Sequence, residues 1–366
     1  VTYNGQWRNS KIADYSFRRL STRLPFLKRY SNAKANDLFQ ITAGFVHSQV
    51  LFTCVELGLF ELLHQTSHST NEIAAYLNMS ADSARRLLQA AEGLNLICKT
   101  KDGDWQLADH GVVLATDHGI KAMVQHHALV YRDLADPIKL LRDPPAQTET
   151  SKFWAYVGET PGDKIKSADA VSYSELMRVS QDMVTQEVLD AYDMNGHQSL
   201  LDIGGGNGAF IEAAGARANK LQLALFDLPP VAENAKARLA FTKLGNRTTV
   251  YGGSFFDDPI PSCADCYSLI RVLYDHNDAN AVRLLTNIRK SMKPGNTLII
   301  GEPMAGPTRG AGLVAAYFGF YLLAMRSGRC RSADEISDLL RQAGFTRIAT
   351  RPTNMPVVAG LVTAQL

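Results

Sequence analysis

The chain has almost no net charge: 38 Lys and Arg stand against 36 Asp and Glu, a balance of +2 over 366 residues. Wrapping a nucleic acid calls for a clustered basic excess, so near-neutrality argues against such a partner. Cysteine is scarce. The five, Cys54, Cys98, Cys263, Cys266 and Cys330, are odd in number and scattered, which argues against a secreted disulfide framework and for a reducing, cytoplasmic setting. Apolar runs are short. Gly310–Met325 falls below the ~20 residues of a spanning helix, is interrupted by glycine and is closed by Arg326; a buried helix beside an apolar cavity is expected there. Leu38–Val55 is uncharged but carries Gln40, Thr42, His47, Ser48, Gln49 and Thr53, too polar to span. There is no internal repeat or low-complexity tract, and no signal peptide is visible behind Val1.

With 46% hydrophobic residues the chain can bury a sizeable core, and its length suits roughly two domains at about 150 residues each. Residues 1–35 form a basic, aromatic extension (Trp7, Arg8, Lys28, Tyr30 among others), suited to a loose arm, a dimer contact or peripheral contact with an anionic membrane. Asn36–Leu63 has helical apolar spacing with a break near Gly58. A capping box, Ser69 with Glu72, and Ser80 open two further helices, and residues 96–107 alternate around an Asp102-Gly103 turn. Helix, helix, hairpin is a winged-helix pattern, which bounds a domain at 36–118. Residues 119–190 look mostly helical, broken at Pro144-Pro145 and Pro161-Gly162. From 191 to 366 apolar strand runs alternate with helical stretches, the mark of an α/β layer with a parallel sheet. A second capping box, Ser332 with Glu335, opens a late helix, and a strand pair is expected in 347–365.

The first strand of that region runs into Leu201-Asp202-Ile203-Gly204-Gly205-Gly206-Asn207-Gly208-Ala209. Glycines at a strand-to-helix turn let the backbone approach a nucleoside that a Cβ would hold off. Asp227, 23 positions after Gly204, ends the next strand, where a carboxylate can accept hydrogen bonds from ribose hydroxyls. Gly204, Gly206 and Ala209 equally satisfy G-x-G-x-x-A, so a dinucleotide and S-adenosylmethionine both fit to this point. Asp202 suits a cationic ligand rather than a pyrophosphate. Leu269–Asp278 ends a strand in the polar cluster Tyr274-Asp275-His276 at the expected mouth of the site.

Taken in order, L-D-x-G-G-G-x-G, F-D-L-P, G-S-F-F-D, R-V-L-Y-D-H-x-D, K-P-G-x-x-L-I-I-x-E-P and A-G-F resemble the class I S-adenosylmethionine-dependent O-methyltransferases that join a winged-helix dimerisation domain to a Rossmann-like catalytic domain. G-F-V-H-S-Q-V-L (44–51), H-H-A-L-V-Y-R-D-L-A-D-P (126–137) and E-P-M-A-G (302–306) are similar to the methyltransferases of purple photosynthetic bacteria that act on the tertiary hydroxyl of acyclic hydroxycarotenoids. The resemblance implies an α/β fold, S-adenosylmethionine as cofactor, a homodimer, an apolar hydroxylated substrate, pocket-lining helices in 119–190 and 311–325, and a cytoplasmic enzyme working at or near the inner photosynthetic membrane. It implies cofactor contacts at Gly204 and Asp227, with Asp202, Gly206 and Leu228 beside them, and at Ser254 and Phe255 near the adenine. Ser254 stands where the family has Asp. The family's Lys falls on Ile270, which leaves Arg271 as a neighbour of the cofactor.

The catalytic pattern departs further. The family's general-base His falls on Tyr274, and its two supporting carboxylates fall on Glu302 and Cys330. Tyr274 is expected to orient the substrate hydroxyl, with His276 or Asp275 relaying the proton; His276 in a packing role, replacing the family's Trp, is the competing expectation. A tertiary alcohol is a weak acid, so the proton leaves as the methyl transfers, and most of the rate comes from holding the reactants in line. No metal site is expected. Cys263 and Cys266 have ligand spacing but no second pair, and His126-His127 lacks a partner at ligand spacing, which fits packing or pocket lining. Met177, Met183, Phe318, Phe320 and Tyr321 suit core or substrate wall. Two other classes stay open on residues alone: an NAD-dependent reductase, from G-x-G-x-x-A, and a ligand-sensing winged-helix regulator. Against the regulator, Arg85 and Arg86 sit beside Asp82 and Glu92, too little charge for phosphates.

Overall fold

The computed structural model describes residues 6–21, 25–154 and 181–366, and the chain divides into two compact units, Val1–Asp117 and His118–Leu366. The first unit is built from α1 (Gln6–Ala13), α2 (Tyr15–Ser21), α3 (Pro25–Glu56), α4 (Leu59–Gln65), α5 (Thr70–Tyr76), α6 (Ala81–Gly93), the hairpin β1 (Ile97–Lys99) and β2 (Trp105–Leu107), and α7 (Asp109–Thr116). The expected break falls at Gly58, in the left-handed region at φ 70°. Ser69 and Glu72 close their capping box, and Ser80 accepts from the Ser83 amide. Trp105 fastens the wing: it is fully buried, its Nε1 donates to Thr70 Oγ1 at 3.0 Å, and its backbone pairs with His68. No helix break falls at residue 35: α3 runs unbroken from Pro25 to Glu56, starting ahead of the apolar spacing that marks it in the sequence. By length and composition Leu27–Glu56 is long and apolar enough to cross a membrane, which the shorter Leu38–Val55 was not expected to be. In the single chain its outer face is exposed: Phe39, Ile41 and Phe45 are 65%, 78% and 73% accessible.

The second unit opens with α8 (His118–Asp133), α9 (Pro137–Arg142), α10 (Glu149–Phe153) and α11 (181–191). There follow β3 (Ser199–Ile203), α12 (Ala209–Arg217), β4 (Gln222–Asp227), α13 (Pro229–Ala240), β5 (Thr248–Gly252), β6 (Cys266–Ile270), α14 (Asp278–Ser291), β7 (Thr297–Glu302), α15 (Arg309–Met325), α16 (Ala333–Gln342), β8 (Arg347–Arg351) and β9 (Gly360–Gln365). The expected loop at Pro161-Gly162 and the residue Met177 lie outside the described residues. The seven-stranded sheet runs β5-β4-β3-β6-β7-β9-β8, parallel from β5 to β7 and antiparallel at β9 and β8. β6 and β7 are buried along their whole length, as central parallel strands covered on both faces must be.

The two-residue period of β3 divides its side chains between two cores. Leu201 and Ile203 pack with Leu284 and Ile288 of α14 and Ile336 and Leu340 of α16. Leu200 packs with Val188 of α11, Phe210 of α12 and Leu239 of α13. α15 is not the buried helix expected of Gly310–Met325: Val314, Tyr321, Leu322 and Met325 face inward, whereas Leu313, Tyr317 and Phe320 are exposed. A run without charges cannot reveal which of its faces is covered.

The half-buried Arg247 guanidinium closes α12, donating to the carbonyls of Gly215, Ala218, Asn219 and Leu221. Hydrogen bonds from a charged donor to the carbonyls of a helix end and of the turn that follows it are worth about 1–3 kcal/mol together in a half-buried setting. Arg247→Ala should lower the denaturation free energy by about that amount. Arg247→Lys should restore little of it, because an ammonium cannot span four acceptors; urea denaturation of both variants measures it.

Candidate active site

Order reverses between β3 and β6, whose following elements depart to opposite sides, and in open α/β sheets the crevice at such a point receives ligands. Four strand ends converge there: Gly204 after β3, Asp227 of β4, Arg271 after β6 and Glu302 of β7. Gly204 has φ 69° and donates its amide to the Phe226 carbonyl at 2.8 Å. A Cβ on it would stand 2.8 Å from Val272 and 3.7 Å from Phe255. Gly206, at φ 57°, has nothing within 4 Å of where a Cβ would stand, so the backbone there faces open space that a ligand can occupy.

Asp227 accepts from the Gly206 amide through Oδ2 at 2.8 Å and from the Leu228 amide through Oδ1 at 2.7 Å. Burial pushes its carboxyl up to about 6 against those two hydrogen bonds. Each oxygen keeps a lone pair for a further donor. Asp202 lies underneath the turn rather than along it. It is 1% exposed, accepts from Ser268 Oγ of the neighbouring strand, and is pushed up to about 7, chiefly by burial and further by Asp227.

Ser254 is engaged in its own loop: its Oγ donates to Asp257, and its amide donates to Asp258 at 2.8 Å. The Phe255 ring meets Phe256 edge-on at 4.8 Å. His276 completes this aromatic group, T-shaped to Phe255 at 5.6 Å and to Phe256 at 5.1 Å. Burial, then the charge of Arg331, pulls its imidazole down to about 4. His276 is therefore neutral near pH 7.

Residues 271–276 fold as a left-handed Arg271, φ 57°, followed by a 3₁₀ turn, Leu273–Asp275. The turn sends consecutive side chains apart. Tyr274 is 4% exposed and packs with Val130, Trp154, Tyr321, Leu322 and Met325, with the Phe318 ring edge-on at 5.8 Å. Arg271 Nη2 donates to Tyr274 Oη at 3.3 Å. Burial pushes the Tyr274 phenol up despite that guanidinium, so it is protonated near neutrality. Asp275 is raised well above the usual carboxylate range by burial, opposed by Arg271 and reinforced by Glu302. Glu302, fully buried, accepts the Tyr274 amide through Oε2 at 3.0 Å and is pushed up to about 7, again by burial. Tyr274 and His276, which the sequence groups together, thus face different surroundings.

Around Tyr274 lies a polar network that the sequence does not announce. Trp154 Nε1 donates to Tyr321 Oη at 2.8 Å, which meets His126 Nε2 at 2.8 Å, and His127 Nε2 meets Tyr317 Oη at 2.6 Å. The His126-His127 pair is thus hydrogen-bonded to tyrosines of α15. Cys266 is buried in β6 and Cys263 is exposed. Nothing in the sequence flags Arg331, since an arginine in a loop reads as surface, yet it is fully buried against the 3₁₀ turn.

The sequence profile of an O-methyltransferase domain matches residues 131–346, and that of an O-methyltransferase dimerisation domain matches residues 39–117. The demethylspheroidene O-methyltransferase of Cereibacter sphaeroides is 41% identical over 348 residues, 95% of this chain and 91% of that protein. Its counterpart in Rhodobacter capsulatus is 38% identical over 94% and 85% of the two chains. Human N-acetylserotonin methyltransferase, solved in complex with SAM, shares the fold with a TM-score of 0.75 at 23% identity, covering 91% of this chain and 97% of its own. The chain belongs to the O-methyltransferase family in which an N-terminal dimerisation domain precedes an α/β methyltransferase domain. That membership sets aside the dinucleotide reductase and the DNA-binding regulator.

A neutral His276 has a consequence for stability. Its folded value of about 4 lies below the ordinary 6.5, so on acidification the unfolded chain takes up a proton before the folded one does. Stability present above pH 6.5 is lost as the pH falls toward 4, on the order of 3 kcal/mol at full extent for this group. The raised carboxyls of Asp202, Asp227 and Glu302 act in the opposite direction. In thermal melts, His276→Phe should therefore gain stability relative to wild type as the pH is lowered from 7 to 5; a constant difference would contradict the packing seen here.

Proposed function

We propose that the protein transfers a methyl group from S-adenosylmethionine to the tertiary hydroxyl of an acyclic hydroxycarotenoid of the demethylspheroidene or hydroxyneurosporene type. The observation that carries the substrate class is the near-full-length likeness, at 41% and 38% identity, to two demethylspheroidene O-methyltransferases. It agrees with a Tyr274 surrounded by apolar and aromatic side chains. Phenols, polyketides and hydroxyindoles are the alternative substrates.

The residues fit the cofactor. The open space over Gly206 admits the nucleoside, Asp227 retains lone pairs for the ribose hydroxyls, and Phe255 beside Gly204 offers a ring face or edge to the adenine. Leu228 and Ser254 flank that path, and Asp202, from beneath the turn, presents negative charge when ionised. When bound, S-adenosylmethionine supplies a methyl group on a positively charged sulfur. The chain's own task is then to hold a tertiary hydroxyl in line and relieve it of its proton as it reacts. Tyr274, kept protonated and itself hydrogen-bonded by Arg271, orients the hydroxyl. We assign the proton acceptor to Asp275, and His276 to packing beside the cofactor path, because a ring held near 4 and turned toward Phe255 and Phe256 is a poor base for an alcohol.

The exposed apolar face of α3 is assigned to self-association as a homodimer, since the dimerisation profile begins at residue 39. Delivery of so apolar a substrate is assigned to peripheral contact of the basic, aromatic N-terminal stretch with the cytoplasmic side of the inner photosynthetic membrane; flotation with anionic vesicles reads this.

Incubation with labelled S-adenosylmethionine should label hydroxycarotenoids in preference to phenols and hydroxyindoles, and Tyr274→Phe should lower kcat on the preferred substrate roughly 10- to 100-fold. Turnover of phenols alone would overturn the carotenoid assignment. Because burial raises Asp275 well above the ordinary carboxylate range, it accepts a proton only after ionising, so kcat should climb as the pH is raised beyond that range, and Asp275→Asn should flatten that climb. Binding of S-adenosylhomocysteine should weaken below about pH 6 as Asp227 takes up a proton, and Asp227→Asn should bind weakly at every pH; calorimetry measures both.

A further inference from the structure

A 3₁₀ turn of three residues has too few hydrogen bonds of its own to hold a side chain in one place. The turn at 273–276 is held from outside. All four of its carbonyls are taken by one segment, residues 327–331, which crosses over it. Arg331 Nη1 donates to the Leu273 carbonyl at 3.1 Å, and Nη2 donates to the His276 carbonyl at 2.7 Å. The Arg329 amide donates to the Tyr274 carbonyl at 2.8 Å, and Ser327 Oγ donates to the Asp275 carbonyl at 2.6 Å. From below, Glu302 accepts the Tyr274 amide.

The approach is close enough to exclude a side chain. Gly328 has φ 85°, and a Cβ there would lie 2.2 Å from the Tyr274 carbonyl oxygen. The Arg331 side chain is completely shielded, and its charge is met by Asp278 at the start of α14, with Nε to Oδ1 at 2.8 Å. Asp278 in turn also receives Arg329 Nη1 at 3.0 Å. One guanidinium therefore ties the two ends of the turn to the first residue of the helix that follows, and its planar fork is what reaches both carbonyls at once.

We propose that Arg331 is a positioning residue for methyl transfer: its grip on the Leu273 and His276 carbonyls, with the 327–330 strap over Tyr274 and Asp275, fixes where the Tyr274 hydroxyl and the Asp275 carboxyl stand relative to the cofactor crevice. The proposal rests on the roles given to Tyr274 and Asp275 under Proposed function. Arg331 touches neither reactant. Its loss would shift the turn while leaving the glycine turn and Asp227, on β3 and β4, as they are. The signature is a fall in kcat without a matching loss of cofactor affinity.

The test uses the full chain and two independent variants. Arg331→Lys keeps the charge opposite Asp278 but gives up the fork, and Gly328→Ala forces the strap away from Tyr274. In both, kcat on the hydroxylated substrate that wild type methylates should fall about tenfold or more, with the dissociation constant for S-adenosylhomocysteine within about twofold of wild type. Amide exchange should quicken at 273–276 and not at 204–208. Adding Tyr274→Phe to Arg331→Lys should lower kcat by much less than Tyr274→Phe does alone, because both changes remove the same placement. Wild-type kcat and wild-type exchange in Arg331→Lys would overturn the proposal, as would a kcat loss matched by an equal loss of S-adenosylhomocysteine affinity. Failure of the underlying reading shows separately, as full activity in Tyr274→Phe and Asp275→Asn.

Discussion

The proposed site depends throughout on a reversal in strand order. β3 and β6 are parallel neighbours whose connections leave in opposite directions, and in open α/β sheets such a point is where ligands are received beyond the strands' carboxyl ends. The glycine turn, Asp227, the Arg271–His276 segment and Glu302 are all strand-end features. Their closeness follows from the register of the sheet, and hydrogen bonds from the Gly206 amide to Asp227 and from the Tyr274 amide to Glu302 add to it. The glycines permit the backbone to bend there without a Cβ colliding with Val272.

The crevice concentrates ionisable groups where water is sparse. Asp202, Asp227, Asp275 and Glu302 are all pushed upward by burial, against Arg271 and Arg331 as the nearby cations. With Asp202 and Glu302 raised to about 7, such a cluster holds some of its protons at neutrality. The imidazole at 276 goes the other way and stays neutral between two phenyl rings. Of the four carboxyls, Asp275 belongs to the 3₁₀ turn itself and Glu302 is hydrogen-bonded to its Tyr274 amide.

Sequence reached far because its signals were local. The glycine turn, the capping boxes at Ser69 and Ser332, the break at Gly58, the Asp102-Gly103 hairpin and the acidic end of β4 each depend on residues within one or two turns of chain, and each formed where expected. It fell short where coverage decides. α3 starts at Pro25, not near residue 36, because helix propensity extends beyond the apolar stripe. The uncharged run of α15 turned out to be covered on one face only.

The amino-acid sequence by itself determined the order of elements, the family, the glycine turn and the acidic partner at 227, since these follow from short-range backbone preference and motif. Only tertiary structure decided that Tyr274 and His276 face different surroundings, that Asp202 lies beneath the turn, and that Arg331 is a buried clamp. Those outcomes turn on strands and loops separated by dozens of residues, and on which groups lose their water when the sheet closes over them.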